Sequence, residues 1–278
     1  MVMNETNPNN ELDVNDPFGK AEEAAKYIAD RTGVKQHDIA LVLGSGWGGA
    51  AELIGKTVAE IPAHEVPGFS KPAVEGHVGL TRSIELPSGK HALVLGSRTH
   101  YYEGRGVRAV AHGIRTAAAT GAKIAVLTNG CGGLHPEWTP GQPVLISDHI
   151  NLTAASPLEG ATFVDLTDLY SQRLRDLAHE IDPTIPEGVY CQFRGPHYET
   201  PAEVQMAKVL GADLVGMSTT LEAIAAREAG MEVLGISLVT NPAAGISKTP
   251  LSHEEVIQAG QAAGPRISDL LANIVRNL

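Results

Sequence analysis

The sequence predicts a single α/β domain, and three observations support this expectation. Seven short runs of apolar residues alternate with stretches of helical character along the chain. The runs are continuously apolar, which is typical of strands covered on both faces. We find no internal repeat, low-complexity linker or shift in composition that would mark a second domain. These patterns predict a twisted, largely parallel sheet flanked by helices.

The strands and helices follow from where the apolar runs and the capping signals fall. The predicted strands are 39–43, 91–96, 123–129, 143–147, 188–193, 213–218 and 231–241. The predicted helices are 17–32, 107–120, 168–181, 201–210, 219–229 and 252–276. Residues 1–16 are polar and rich in asparagine, so we expect a disordered or loosely attached tail ahead of a domain spanning 17–278.

Four helix starts carry specific capping signals. The first helix has Asp16 as its N-cap, Pro17 at its first position and Gly33 after its end. Capping boxes precede three later helices: Thr200 with Glu203, Thr219 with Glu222, and Ser252 with Glu255. Ligands in α/β sheets gather at the carboxyl ends of strands and at helix N-termini. We therefore expect the polar residues just before these caps to share one cleft.

Composition excludes several classes of function. The 278 residues carry a formal net charge of −11, which argues against a nucleic-acid or anionic-membrane surface. Two cysteines make a disulfide framework unexpected and suit a reducing compartment. No run approaches the roughly 18 apolar residues of a membrane span, and the first residues lack a basic region followed by an apolar one. We expect a cytoplasmic protein with small-molecule partners.

Two segments after strands predict an anion-binding pocket. Gly44-Ser45-Gly46 follows the first strand, and glycines let a backbone approach an anion closely. The turn has neither the lysine of a Walker loop nor the spacing of a nucleophile elbow, and a structural turn is an equal alternative. In the second segment Arg98, His100 and Tyr102 alternate, which places them on one face of an extended chain. A solvated, charged edge is the alternative for this segment.

Four further segments are candidates for binding a ligand. The strand that ends at Gly130 exposes backbone N–H groups, while Ser218 precedes a helix N-terminus, where an anion is favoured. Glu199 follows Tyr198 and can accept a ring N–H, or merely complement a helix dipole. Asn241 offers a donor and an acceptor to a heterocycle. Cys131 has no neighbouring base and is interpreted as a buried apolar residue, and no cysteine or histidine spacing indicates a zinc site.

Read together, these segments resemble the trimeric, low-molecular-mass purine nucleoside phosphorylase family of bacterial type, from about residue 39 to residue 260. The motifs that carry the resemblance are Gly-Ser45-Gly, Val-Glu-Gly-His77, Arg98-Thr-His100-Tyr-Tyr102-Glu-Gly, Thr-Asn129-Gly130-Cys-Gly-Gly, Asp148-His-Ile-Asn-Leu, Gly-Pro-His-Tyr198-Glu199-Thr, Val-Gly-Met217-Ser218-Thr, Thr240-Asn241 and His253-Glu-Glu-Val. Each is weak alone, but their order and spacing are highly specific. The resemblance implies one domain with a mixed, partly barrel-like sheet.

The resemblance also implies the activity and the role of each residue. The reaction would be the reversible phosphorolysis of 6-oxopurine nucleosides, in a homotrimer that needs inorganic phosphate as co-substrate but no metal or organic cofactor. The implied phosphate-binding residues are Ser45, His77, Arg98, His100, Gly130 and Ser218. The implied purine-binding residues are Tyr198, Glu199 and Asn241, and the implied ribose-binding residues are Tyr102, Met217 and His253. The implied catalytic residues are His100, Glu199, Asn241 and His253, and Phe163 would enter the neighbouring subunit's site.

Some positions depart from the commoner family pattern, and two rival functions stay open. Gly130-Cys131 stands where Ala-Ala is frequent, and Pro242 follows Asn241 where some members carry lysine. A 5′-methylthioadenosine phosphorylase of the same fold is one rival, although it favours an acidic residue at the Asn241 position and an apolar one at the His253 position. The other rival is a non-catalytic protein that binds purine or phosphate.

Overall fold

A computed structural model of the protein describes residues 16–69, 79–247 and 253–278, apart from the side chains of His253 and Glu255. The strands are β1 Ile39–Val42, β2 Lys56–Pro62, β3 Leu80–Glu85, β4 His91–Leu95, β5 Ile124–Gly133, β6 Pro143–Asn151, β7 Glu187–Gln192, β8 Leu214–Gly216 and β9 Glu232–Pro242. The helices are α1 Pro17–Thr32, α2 Val107–Ala119, α3 Gln172–Ile181, α4 Pro201–Val209, α5 Thr220–Glu228 and α6 His253–Arg276. All seven predicted strands and all six predicted helices are confirmed, with small shifts at their ends.

The nine strands form one sheet that closes partly on itself. The order is β2-β3-β4-β1-β5-β8-β7-β6-β9, and β9 pairs again with β5. Five strands, β5, β8, β7, β6 and β9, therefore form a closed ring, while β1, β4, β3 and β2 extend from β5 as an open sheet. The ring supplies the barrel-like part of the fold, and closure removes the free edges that an open sheet would leave.

The mixed, partly barrel-like sheet that the resemblance implied is confirmed, whereas the largely parallel sheet predicted from the residue patterns is wrong for four of the nine strand pairs. Antiparallel pairing joins β2 to β3, β3 to β4, β5 to β8 and β6 to β9, and the other five pairs are parallel. Strands β2 and β3 were not predicted. Burial along β2 alternates with exposure, and its charged residues interrupt any apolar run. An edge strand that packs on one face lacks the continuous apolar signal of a central strand.

Helices cover both faces of the sheet. One buried cluster packs α1, α2 and α5 against the strands through residues such as Ile28, Ile114 and Ala225. A second cluster packs α3 and α6 on other sheet residues through Leu174, Ile267 and Leu271. Within the described residues, no helix combines the length and the apolar character needed to cross a membrane.

The capping residues set where the helices begin. Asp16 accepts a hydrogen bond from Phe18 N at 2.9 Å, as predicted for the N-cap of α1. The rest of the predicted tail, residues 1–15, lies outside the described residues, as does the Ser252 end of the third predicted capping box. Helix α3 begins at Gln172 rather than at 168, with Ser171 at its N-cap.

The sheet brings the ends of distant strands together. The segments that leave β1 and β4 lead to Ser45 and Arg98, and those that leave β8 and β7 lead to Ser218 and Glu199. Asn241 lies near the end of β9, where it pairs with Gly132 of β5. This convergence is the expected location of a ligand site in an α/β fold.

Candidate active site

A pocket of about 140 Å³ lies at this convergence. The predicted residues that line it are Ser45, His100, Tyr102, Gly130, Tyr198, Glu199, Met217, Ser218 and Asn241. A larger adjoining pocket of about 640 Å³ shares Ser45, His100 and Tyr102 with it and adds Arg98. The structure thus gathers residues from six separated segments around two adjoining pockets.

The glycine turn after β1 is packed tightly against the Arg98 side chain. A Cβ on Gly44 would lie 2.6 Å from the carbonyl oxygen of Thr128 and 3.1 Å from Nη1 of Arg98. Gly44 N donates to the Thr128 hydroxyl at 2.9 Å. Gly46 has a φ of +87°, which favours glycine. Both glycines are therefore required by the backbone path that leads Ser45 to the pocket.

Arg98 is buried and held by two bonds. Its Nε donates to Glu222 at 3.1 Å, and its Nη1 donates to the Thr128 carbonyl at 2.7 Å. Nη2 is buried without a hydrogen-bond partner among the described residues. A guanidinium nitrogen in this state is a donor available to a ligand oxygen. The alternative of a solvated surface charge is wrong for Arg98, whose side chain is only 7% exposed.

His100 lies beside Arg98 with its backbone and ring both near Glu103. His100 N donates to Glu103 Oε1 at 2.7 Å, and its Nδ1 lies 3.4 Å from the same oxygen. Partial burial, followed by the positive charge of Arg98, lowers the pKa of His100. The imidazole is therefore neutral at pH 7.

Tyr102 lines the pocket, but it does so from a 3₁₀ turn and not from the extended segment that was predicted. Residues Tyr101–Glu103 form a short 3₁₀ turn, so the extended geometry ends at His100. The Tyr102 ring stacks on the His100 ring, with centroids 4.8 Å apart and an interplanar angle of 14°. The loop after β7 lies against Tyr102 and Met217 at Gly195, whose φ is +70°. A Cβ at this position would overlap Met217 Sδ and lie 3.0 Å from Tyr102 Cδ1. These contacts form one wall of the pocket.

Glu199 and Asn241 line the smaller pocket but not the larger one. Glu199 is 7% exposed, and its Oε1 is buried with no hydrogen-bond partner among the described residues. Burial raises the pKa of this carboxyl above its usual value. The Asn241 side chain accepts from the Thr240 hydroxyl at 2.9 Å and donates to the Pro242 carbonyl at 3.1 Å. The smaller pocket is therefore lined by a carboxylate with one unpartnered oxygen among the described residues and by an amide held by two hydrogen bonds.

Three predicted residues are not placed in the pocket. His77 and the side chain of His253 lie outside the described residues. Phe163 lies in the long connection between β6 and α3 and is 95% exposed.

Cys131 is buried, its thiol donates to the Leu238 carbonyl at 3.4 Å, and burial raises its pKa, which confirms that it is a packed residue.

Three residues that contact the candidate site residues or the start of α5 were not predicted to have a role in the site. Glu103 holds His100, Glu222 holds Arg98, and Gln192 accepts from Thr220 N at 2.9 Å. The spacing of His100 and Glu103 matches a capping box and could have been recognised. Glu222 was identified only as a helix cap, because nothing local connects it to Arg98. Among the described residues, no group of three or more histidine, cysteine or acidic side chains could hold a metal ion.

Comparison with known proteins assigns the family. The model of the phosphorylase superfamily matches residues 38–276. The chain is 74% identical over 265 residues to a purine nucleoside phosphorylase of Cellulomonas sp., a match that covers 94% of each protein. Two crystal structures of a Schistosoma mansoni purine nucleoside phosphorylase, one with adenosine and one with inosine, superpose with a TM-score of 0.85 at 32% and 31% identity, covering 93% of this chain and 96% of theirs.

These matches span nearly the whole chain, and the superposed structures agree with its fold. The chain therefore belongs to the phosphorylase superfamily and, within it, to the purine nucleoside phosphorylase family.

Proposed function

We propose that the protein catalyses the reversible phosphorolysis of 6-oxopurine nucleosides to a free purine and a pentose 1-phosphate. The observation that carries the proposal is a pair of adjoining pockets that share Ser45, His100 and Tyr102. One end of this space has the buried guanidinium of Arg98 and the other has the buried carboxylate of Glu199. Among the described residues, Arg98 Nη2 and Glu199 Oε1 have no hydrogen-bond partner. An anion fits the first end, and a ring N–H donor fits the second.

The Arg98 end has the chemistry needed for phosphate. Arg98 Nη2, the Ser45 and Ser218 hydroxyls and the backbone of Gly130 supply donors to its oxygens. Monohydrogen phosphate also carries one hydroxyl donor. A neutral His100 ring whose Nδ1–H faces Glu103 has its other nitrogen available to accept from that hydroxyl. His77 would join this end by resemblance.

The Glu199 end has the chemistry needed for a 6-oxopurine. The Glu199 carboxylate would accept from N1–H, and the Asn241 amide would bind the neighbouring edge of the ring. Tyr198 would pack on the purine, while Tyr102, Met217 and His253 would enclose the ribose. A nucleoside bound in this way places its C1′ atom between the two ends of the pocket.

The reaction then needs no protein nucleophile. A phosphate oxygen forms a bond to C1′ as the C1′–N9 bond breaks, and the bonding electrons leave with the purine. The sugar gains oxocarbenium character, which the adjacent phosphate stabilises electrostatically. Glu199 and Asn241 stabilise the departing base as it gains negative charge or takes up a proton at N7. The chain's contribution is to hold the two reactants in line.

The oligomer and the setting complete the proposal. Phe163 is almost fully exposed, and a large aromatic side chain in that state suits a role in the site of a neighbouring subunit. We therefore propose the homotrimer implied by the resemblance, with no cofactor beyond phosphate. We also propose a cytoplasmic location, because both cysteines of the chain are free and buried.

The test is phosphate-dependent turnover. Wild-type protein is expected to release hypoxanthine from inosine only when phosphate is present, which a coupled xanthine oxidase assay measures. Arg98→Ala is expected to raise KM for phosphate far more than KM for inosine. The accompanying fall in kcat/KM is expected to correspond to about 2–4 kcal/mol of activation free energy. Binding of inosine and phosphate without turnover would support a non-catalytic binding protein. Preferred cleavage of 5′-methylthioadenosine would support the other rival function.

A further inference from the structure

Glu222 connects two elements at the phosphate end of the pocket. Its carboxylate accepts from Arg98 Nε, with N–O distances of 3.1 Å and 3.0 Å to its two oxygens. Its Oε2 also accepts from Thr219 N at 3.1 Å. The Glu222 side chain is only 5% exposed. One buried carboxylate therefore joins the segment after β4 to the turn that begins α5, across 124 positions of sequence.

The turn that Glu222 contacts is strained. Thr219 has φ 82° and ψ −49°, and Thr220 N donates to Ser218 O at 3.0 Å, which together define a γ-turn with positive φ. A β-branched residue adopts this conformation only where its surroundings impose it. Besides Glu222, Asn129 imposes it by donating from Nδ2 to the Thr219 hydroxyl at 3.0 Å. The placement of Ser218 in the pocket depends on this turn.

The same carboxylate orients Arg98. Glu222 and the Thr128 carbonyl together bind Nε and Nη1, and these two bonds fix the plane of the guanidinium. Nη2 is then the nitrogen left for a ligand. Without Glu222, the group would keep a single bond, to Thr128, and could rotate.

We propose that Glu222 is a positioning residue for phosphate, which aims Arg98 and maintains the Thr219 turn that presents Ser218. This inference rests on the proposed function of the pocket. Charge alone predicts the opposite role, since a carboxylate close to an anion repels it. The sign of the change in phosphate affinity after removal of the charge therefore separates positioning from simple electrostatics.

The experiment compares Glu222→Gln with wild type by calorimetric titration of inorganic phosphate and by steady-state kinetics. Glutamine keeps the shape but removes the negative charge and replaces one acceptor oxygen with an NH2 donor. That donor would face Arg98 Nε or Thr219 N, which are themselves donors. Kd and KM for phosphate are expected to rise on the order of tenfold or more, while KM for inosine stays within about twofold. An unchanged or lowered Kd for phosphate would overturn the proposal.

Glu187→Gln is the matched control. It removes a carboxylate from a partly buried pair with Arg175 and His179, at the opposite end of β7 from the pocket. This variant is expected to lose thermal stability and to bind phosphate as wild type does. If it weakened phosphate binding as much as Glu222→Gln, the effect of Glu222 would be general destabilisation and the proposal would fail.

Two further variants keep the proposal falsifiable. If Glu222→Gln does not fold, Thr219→Ala is the alternative variant, because it removes only the hydroxyl and methyl groups that help to fix the turn. The Kd for phosphate is then expected to rise severalfold. An unchanged Kd would overturn the proposal. In the double variant with Arg98→Ala, the two losses are expected to be smaller than additive because both act on one group. An Arg98→Ala protein with normal phosphate binding would instead refute the proposed phosphate site itself.

Discussion

Glu199 has an environment that opposes its own charge. It is buried, its Oε1 has no partner in the described part of the chain, and burial raises its pKa. An unpaired buried carboxylate costs free energy of folding, whereas a purine N1–H would supply the missing partner. The residue thus illustrates a site that is unfavourable for stability and favourable for binding.

The first prediction concerns stability and pH. The native Glu199 carboxyl binds its proton more tightly than the unfolded one, so stability falls as pH rises from the ordinary glutamate pKa to the raised native pKa, and the loss persists above it. Glu199→Gln is therefore expected to melt at a higher temperature than wild type at pH 7, and the gain should shrink below about pH 4. Scanning calorimetry at both pH values measures it.

Glu187→Gln serves as the comparison for this measurement, since Glu187 is paired with Arg175 and His179 and its loss should lower the melting temperature. A lower melting temperature for Glu199→Gln at pH 7 would contradict the prediction.

A second prediction at this scale concerns the base. Adenine presents a lone pair at N1 and an amino group at the 6-position, so adenosine leaves Glu199 without a donor. Asn241→Asp adds an acceptor for the amino group, but it also places an oxygen beside the Pro242 carbonyl that Asn241 Nδ2 now contacts at 3.1 Å. The ratio of kcat/KM for adenosine to that for inosine is expected to rise about tenfold or more.

Both values of kcat/KM are measured in wild type and in the variant. Equal cleavage of adenosine and inosine by wild type would show that Glu199 and Asn241 do not read the base in this way. The adenosine complex of the Schistosoma mansoni relative makes the wild-type ratio worth measuring first.

At the scale of elements, the N-terminus of α4 is joined directly to the base-binding end. Thr200 accepts from Glu203 N at 3.2 Å, and Glu203 accepts from Thr200 N at 2.8 Å, immediately after Glu199. This capping box both stabilises the helix and fixes the backbone that carries the carboxylate.

Thr200→Ala is expected to lower stability by about 1 kcal/mol and to raise KM for inosine while leaving KM for phosphate unchanged. Asp16→Ala removes the N-cap of α1, remote from the pocket, and should have a similar cost in stability without a change in either KM. Denaturant unfolding and steady-state kinetics give both readouts. A rise in KM for phosphate with Thr200→Ala would show that the two ends of the pocket are coupled.

At the scale of the whole molecule, Phe163 allows a test of the proposed homotrimer. Phe163 is 95% exposed and lies on the connection between β6 and α3. An ion pair of 2.5 Å between Glu159 and Arg108 joins this connection to α2. Phe163→Ala is expected to raise KM for inosine severalfold and to leave the oligomer assembled, because only one contact is lost. Light scattering during size-exclusion chromatography, combined with kinetics, measures both. Full activity in an isolated monomer would refute the proposed role.

The elements of the fold could be predicted because their signals are local. Asp16, Pro17 and Gly33 delimit α1 through contacts within a few residues, and the apolar run at Ile39–Val42 identifies a buried strand by itself. The candidate site residues could also be listed from the sequence, since Arg98 and Glu199 follow strands and Asn241 lies near the end of one. The structure places all three around the two adjoining pockets, and their roles stay a prediction.

Only the tertiary structure decided how these pieces meet. The second pairing of β9 with β5 closes the ring, and no local pattern specifies which strand a given strand will pair with. The bond between Arg98 and Glu222 spans 124 positions, and the positive φ of Thr219 is imposed by Glu222 and Asn129. By itself the sequence determined the helices, most strands and the candidate residues, because periodicity, capping and motif spacing act over a few residues. The partners and backbone strain of those residues depend on contacts that exist only once the sheet has closed.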